Sequence, residues 1–264
     1  MAESNPTLIE RREYKYLIHA GLADQIRAAI QPFCEIDPFA AKSSGHRYLI
    51  DSLYFDTSNL SLFWANDHEV VDRLKLRVRG YPQAPGGPVF FEVKRRVNDV
   101  ITKTRGKVSY SQWASILGDS AAPIPAEIIG KDRAAVERFV TLARTLRVRP
   151  FTLVRYEREP YFSRIDDYAR VTFDSNIRAQ SVNNLSFEAA ARGWRALDDA
   201  VTQRTLDSMI VLELKFTSAV PLWLVDLVGR FDLRRRSFSK YGTSIRAFYE
   251  PPQRRIARLL GGLR

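Results

Sequence analysis

From residue 73 to 80 the chain reads RLKLRVRG, which sets Lys75, Arg77 and Arg79 on one side of an extended segment and Leu74, Leu76 and Val78 on the other. A strand turns successive side chains to opposite faces and spaces alternate ones by about 6.8 Å, so the pattern predicts a half-buried strand with a charged face. The alternation recurs. Glu13, Lys15 and Leu17 share a face in RREYKYLI, and Glu92, Lys94 and Arg96 share one in FEVKRR. Arg170, Thr172 and Asp174 alternate with Val171 and Phe173, and Glu213 and Lys215 alternate with Leu212, Leu214 and Phe216. In LVRYEREPY the register is ambiguous, because Arg155 and Arg158 fall on opposite faces.

Further strands are expected in RYLIDSLYFDT and in the run VFFEVKRRVNDVITKTRGKVS, with YPQAPGGP as a long turn before that run. Helical spacing of Leu22, Ile26 and Ile30 predicts a helix in GLADQIRAAIQPF, stopped at Pro32. NLSLFWAND, SYSQWASILG, DRAAVERFVTLARTLRV and SAVPLWLVDLVGRF read as further helices. A polar stretch runs from Ser181 to Asp207, and SFSKYGTSI reads as a loop or helix entry. These elements predict one domain over 1–250, followed by a basic C-terminal helix or tail over 251–264.

Composition narrows the function. Nearly half of the 264 residues are hydrophobic, enough for a substantial core, and Lys plus Arg outnumber Asp plus Glu by 41 to 30, a formal charge of +11. That balance points to an anionic partner. Cys34 is the single cysteine, which excludes an intrachain disulfide, and His19, His46 and His68 lack ligand spacing, so zinc or histidine-based chemistry is not expected. No apolar run is long enough to span a membrane and no apolar leader opens the chain, which predicts a cytoplasmic protein. RGKVS lacks the glycine of a phosphate-binding P-loop, since Ile101 stands in its place. The aromatic residues mostly share the apolar faces, so nucleic acid is not expected as a partner.

Mixed charge on one face of several strands suits an open sheet with that face in water. It also suits a closed barrel with charged faces inward and helices outside, an interior that needs an anion and a divalent cation to offset its charge. EYKYLI, SLYFDT, RLKLRVRGY, FEVKRR, ARVTFD, LELKF and FSKYGTSI occur in that order from about Glu10 to Ile245. In this the chain resembles the polyphosphate polymerase (VTC) domain, a branch of the CYTH-like triphosphate tunnel metalloenzymes. The resemblance implies an α+β fold, a closed antiparallel β-barrel forming a tunnel with helices packed on its outside.

It also implies site residues. Lys15, Arg77, Arg79, Lys94 and Lys240 would be catalytic phosphate-holding groups, with Lys107, Arg158, Arg170, Lys215 and Ser239 binding substrate. Glu213 would bind the metal, Mn2+ or Mg2+. Asp174 reads equally as a second metal carboxylate or as a partner of Arg170 or Arg178, and Tyr54 and Asp56 read as strand-end and turn residues. Two positions depart from the pattern. Arg11 stands where the simpler tunnel hydrolases carry the first glutamate, and Ser237, after Arg234, Arg235 and Arg236, stands where some polymerases have another lysine.

The first departure favours transfer over hydrolysis, because a terminal phosphate is already an ionised nucleophile and needs no carboxylate to activate it. The implied reaction passes the γ-phosphoryl of ATP to a growing polyphosphate chain. The implied ligands are ATP, inorganic polyphosphate, tripolyphosphate or pyrophosphate. Export of product would require a membrane-protein partner. Triphosphate hydrolysis on the same fold, or noncatalytic polyphosphate binding, are the alternatives.

Overall fold

The computed structural model describes residues 12–249 except 99, 120, 167 and 218. Arg11 and the basic C-terminal segment read as a helix or tail both lie outside the described residues. The described residues open with strand β1 (Arg12–His19) and helix α1 (Ala20–Ile30), followed by β2 (Cys34–Ile36), α2 (Pro38–Ala41), β3 (Tyr48–Asp56) and α3 (Ser61–Asp67). Strands β4 (Asp72–Gly80), β5 (Val89–Val97) and β6 (Val100–Val108) lead to helices α4 (Trp113–Gly118) and α5 (Gly130–Thr145). Then come β7 (Arg149–Ser163), β8 (Arg170–Ser181), β9 (Arg195–Ala196), α6 (Ala200–Gln203), β10 (Met209–Phe216), α7 (Leu222–Arg230) and α8 (Lys240–Tyr249).

The hydrogen-bonded strand order is β1-β10-β8-β7-β3-β4-β5-β6, with β2 paired to β7 and β9 to β8. The register places β1 antiparallel to β10, and β3, β4, β5 and β6 antiparallel to one another in turn. The chain divides into two compact units. The first takes residues up to 49, 156–176 and 198–238; the second takes 50–155, 177–197 and the chain from 239 onward.

In the first unit, Tyr16, Ile18, Val171, Phe173, Leu212 and Leu214 form the apolar face of β1, β8 and β10, covered by Ile26 and Ile30 of α1 and Leu224 and Leu227 of α7. Phe33 and Trp223 stack there, 5.3 Å between centroids. Cys34 is buried in this core, and burial pushes its thiol up to about 12, so it packs as a small apolar side chain. In the second unit, Leu53, Phe55, Leu76, Val78, Phe91 and Val93 form the apolar face, covered by Val136, Phe139 and Val140 of α5 and by Trp113 of α4. Each such side chain contributes about 1.5–3 kcal/mol on burial, so these apolar faces fix which way the charged ones point. Gly106 lets α5 approach β6: a Cβ there would fall 2.7 Å from the Asp132 carbonyl oxygen.

Two expectations change, and the helix entry read in SFSKYGTSI is found. Among the described residues, hydrogen bonds do not close the sheet into a barrel. The backbone of its terminal strand β1 is met by another segment, the Arg236 N–H donating to the Lys15 carbonyl at 3.0 Å. On terminal strand β6, the Lys107 N–H donates to the Asp132 carboxylate at 3.0 Å. The run from 89 to 109 is two strands, turning after Val97 with Asn98 at φ 51°. A continuous apolar and basic pattern hides that hairpin, although Asn-Asp is turn chemistry. SFSKYGTSI turns into α8, whose first turn is capped by Ser239 Oγ accepting from the Gly242 N–H. No helix among the described residues is long and apolar enough to cross a membrane.

Candidate functional site

Register assembles the charged face of the second unit in rungs across β4, β5 and β6. Arg73, Arg96 and Ile101 lie abreast, then Lys75, Lys94 and Lys103, then Arg77, Glu92 and Arg105, and last Arg79, Phe90 and Lys107. Nine basic side chains thus share the face with one carboxylate. Like charges directly opposite one another destabilise a sheet, and here three lysines stand in a row.

Glu92 holds the middle of this array. It is buried, with Arg77 Nη2 at 2.6 Å, Lys103 Nζ at 2.9 Å, and Arg79 and Arg105 both at 3.6 Å. Burial opposes its charge, but Arg77, Arg79 and Lys103 outweigh it and hold the carboxyl well below its ordinary range. Arg77 also donates to Tyr54 Oη at 3.1 Å. Burial alone would raise the Tyr54 phenol, yet Arg77, Lys240 and Arg79 bring it below its usual value. Tyr241 of α8 stacks on Tyr54, 5.0 Å between centroids, and donates its hydroxyl proton to Asp56, which also accepts from the Leu62 and Phe63 N–H groups of α3. This brings the start of α8 to the charged face: Lys240 is 7% exposed, and Lys75 Nζ donates to Ser239 Oγ at 3.3 Å.

Lys103 is the unusual cation. Its side chain is 45% exposed, yet desolvation by the groups crowded around it first, and then the charges of Arg79 and Arg77, lower its ammonium to about 7 against the opposing pull of Glu92. Free protein therefore carries more ammonium below pH 7 and more amine above it, while a bound polyanion favours the ammonium. The affinity of such a face for a polyanion, with tripolyphosphate as the probe, should fall as pH rises from 6 to 8. Titration calorimetry of wild type against Lys103→Arg checks this, because arginine stays charged and the ligand's own titration cancels. The wild type should lose about three- to tenfold more affinity over that range, within the limit of one proton coupled per site.

In the first unit the face is balanced. Glu13, Lys215 and Arg170 lie abreast, then Lys15, Glu213 and Thr172, then Leu17, Val211 and Asp174. Glu213 is 4% exposed. Its Oε1 lies 3.3 Å from Lys15 Nζ, and its Oε2 lies 2.6 Å from Lys215 Nζ and 3.3 Å from Arg158 Nη2. Glu213 and Glu13 outweigh the cost of burial and hold the Lys15 ammonium above its ordinary value. Arg158 makes a two-pronged pair with Asp174, both bonds 2.7 Å. This resolves the ambiguous register: Arg158 joins the charged face, whereas Arg155 pairs with Asp51. Asp174 thus pairs with Arg158, a partner not weighed from sequence.

The remaining candidates separate. Arg170 shares the face by register, but its guanidinium lies over the Phe162 and Tyr168 rings at 4.2 and 5.2 Å. Lys107 is exposed at the end of its rung. Two hydroxyls on these faces, Ser52 Oγ and Thr172 Oγ1, are buried without a hydrogen-bond partner among the described residues, an unusual state for a polar atom and one that a ligand oxygen would relieve. Sequence reasoning missed Glu92, Lys103, Arg105 and Tyr54 as site residues. The alternation Lys103, Arg105, Lys107 was the available signal for two of them, obscured because the hairpin was read as one run.

No group of three or more His, Cys, Asp or Glu that could hold a metal occurs among the described residues. A carboxylate such as Glu213 is the donor type a hard cation takes, and its two oxygens lie here against Lys15, Lys215 and Arg158. A cavity of 510 Å³ lined by Gln180, Asn183, Arg192 and Phe248, among others, shares no residue with either charged face. Its Gln180 amide is engaged with the Ala190 and Arg192 carbonyls, so the density of charge locates the candidate site elsewhere.

The profile of the VTC domain matches residues 10–249. No curated protein matches the chain significantly. Among solved structures, a candidate adenylate cyclase from Bacillus halodurans is 11% identical, with 91% of this chain and 98% of that chain covered and a TM-score of 0.49. Another from Vibrio parahaemolyticus is 12% identical, with 89% and 97% covered and a TM-score of 0.43.

Proposed function

The chain belongs to the VTC domain family, and from that premise we propose that it is a polyphosphate polymerase, transferring the γ-phosphoryl of ATP to the end of a growing polyphosphate chain. The observation that carries this reading is the face of the second unit, where nine basic side chains surround Glu92. A polyanion relieves their mutual repulsion, and a surface with no anionic ligand has no physical need of such crowding.

Arg77, Arg79, Lys94 and Lys240 hold and neutralise phosphate oxygens as charge redistributes during in-line transfer, with Ser239 and Lys107 adding contacts at the edges. Glu92 is a positioning residue: it fixes Arg77 and Lys103 in place without itself attracting the anion. Lys15, Arg158 and Lys215 surround Glu213, which would hold Mn2+ or Mg2+, and Arg170 guides phosphate from its aromatic perch. A divalent cation held by Glu213 would supply neutralisation of phosphate charge.

The decisive assay incubates purified protein with ATP and Mn2+ or Mg2+ and scores polymer on a gel beside released orthophosphate. Polymer that requires metal and disappears in Lys240→Ala is the expected result. Orthophosphate without polymer would replace this reading with triphosphate hydrolysis. Tight tripolyphosphate binding with neither product would leave a noncatalytic binder.

A further inference from the structure

The charged face of β5 contains one residue out of pattern. Phe90 occupies the position that Glu92, Lys94 and Arg96 continue, and it stands between Arg79 and Lys107 in the last rung. It is half-buried, beside residues that otherwise carry charge. The Arg105 guanidinium lies over its ring, 3.7 Å from the centroid, and donates to Tyr81 Oη at 3.3 Å. Tyr81 meets Phe90 edge to face, with centroids 6.0 Å apart and planes at 84°. The Arg105 side chain is still 40% exposed, which leaves part of the guanidinium open to solvent.

The loop that follows Tyr81 supports the same corner. It contains Pro82, Pro85 and Pro88, and two successive turns close it, Ala84 N–H to the Tyr81 carbonyl and Gly87 N–H to the Ala84 carbonyl. Prolines and closed turns hold this end of the sheet in one shape. A two-residue connection would suffice to join two antiparallel strands.

Resting on the triphosphate reading above, we propose that Tyr81, Phe90 and Arg105 form the platform for the nucleobase of the nucleoside triphosphate. Bases stack on aromatic rings and on arginine planes, and both are presented together here. Spacing agrees: Phe90 lies one two-residue repeat, about 6.8 Å, from Glu92, where Arg77, Arg79 and Lys103 converge. A ribose and its first phosphate span a comparable length. The phosphates are therefore held by charge in the middle rungs, and the base is read at the end rung.

Calorimetry with ATP and with tripolyphosphate separates the two parts. Phe90→Leu keeps an apolar side chain of similar bulk, and Arg105→Lys keeps the charge but loses the plane. Phe90→Leu should weaken ATP about 5- to 150-fold, the range of one stacked base, and leave tripolyphosphate within about twofold; Arg105→Lys, whose charge also serves the phosphate face, should weaken ATP several-fold more than tripolyphosphate. Unchanged melting of both variants excludes unfolding as the cause. If wild type binds both ligands and the variants lose both equally, or lose neither, the platform is refuted while the triphosphate reading stands. If wild type binds neither ligand, both readings fall together.

Discussion

Replacing Glu213 by glutamine should lower metal-dependent turnover of ATP by about 10²- to 10³-fold, the scale seen when one preorganised electrostatic contact to a transition state is removed. The side chain keeps its shape and one acceptor oxygen, although an NH2 donor replaces the other. What changes is charge. Glu213 lies against Lys15, Lys215 and Arg158, and it is the carboxylate proposed to meet the metal. The same substitution should leave metal-free tripolyphosphate binding unchanged or tighter, because it removes negative charge from the neighbourhood of a polyanion. Steady-state kinetics across a manganese titration, paired with metal-free calorimetry, reads both effects. Turnover within threefold of wild type at all manganese concentrations would remove Glu213 from the metal site.

Period-two patterning made the charged faces legible before any coordinates, because a strand with one apolar face has only one way to present its alternate residues. Lys75, Arg77 and Arg79 could be assigned together on that basis, as could Glu213 and Lys215. Partners were a different matter. Strand pairing decides that Lys94 stands between Lys75 and Lys103, and that four cations meet on Glu92; no local pattern carries that register. Arg158 illustrates the same limit from the other side. Its strand supports either facing until Asp174 is brought across from β8, and only then does the guanidinium have a place. Arg170 shows why facing alone is insufficient, since a residue on the expected face is held by Phe162 and Tyr168 instead. Closure into a barrel was read from the resemblance and from the charge pattern, neither of which specifies what meets the terminal strands. In the structure, Arg236 and Asp132 meet them.

The Arg158–Asp174 pair should dominate stability as strongly as Glu213 dominates turnover. Asp174 is fully buried and Glu213 nearly so, and Arg158 pairs with both carboxylates. Burial opposes the guanidinium charge, but Asp174, followed by Tyr156 and Glu213, outweighs it and raises the Arg158 pKa well above the ordinary value. Arg158→Ala removes a cation that two buried carboxylates share, which costs about 3–5 kcal/mol. For a chain of this length, at about 2–4 °C per kcal/mol, the melting midpoint should drop by about 6–20 °C. Arg158→Lys keeps the charge but not the fork that matches the carboxylate, so its loss should be intermediate. Adding Asp174→Asn to Arg158→Ala should recover part of the deficit, because the penalty lies in the stranded charge more than in the missing bonds. Differential scanning calorimetry of Arg158→Ala, Arg158→Lys, Asp174→Asn and the double variant tests this. A melting midpoint for Arg158→Ala within 2 °C of wild type, or a double variant less stable by the full sum of the singles, would show that the pair is peripheral to the fold.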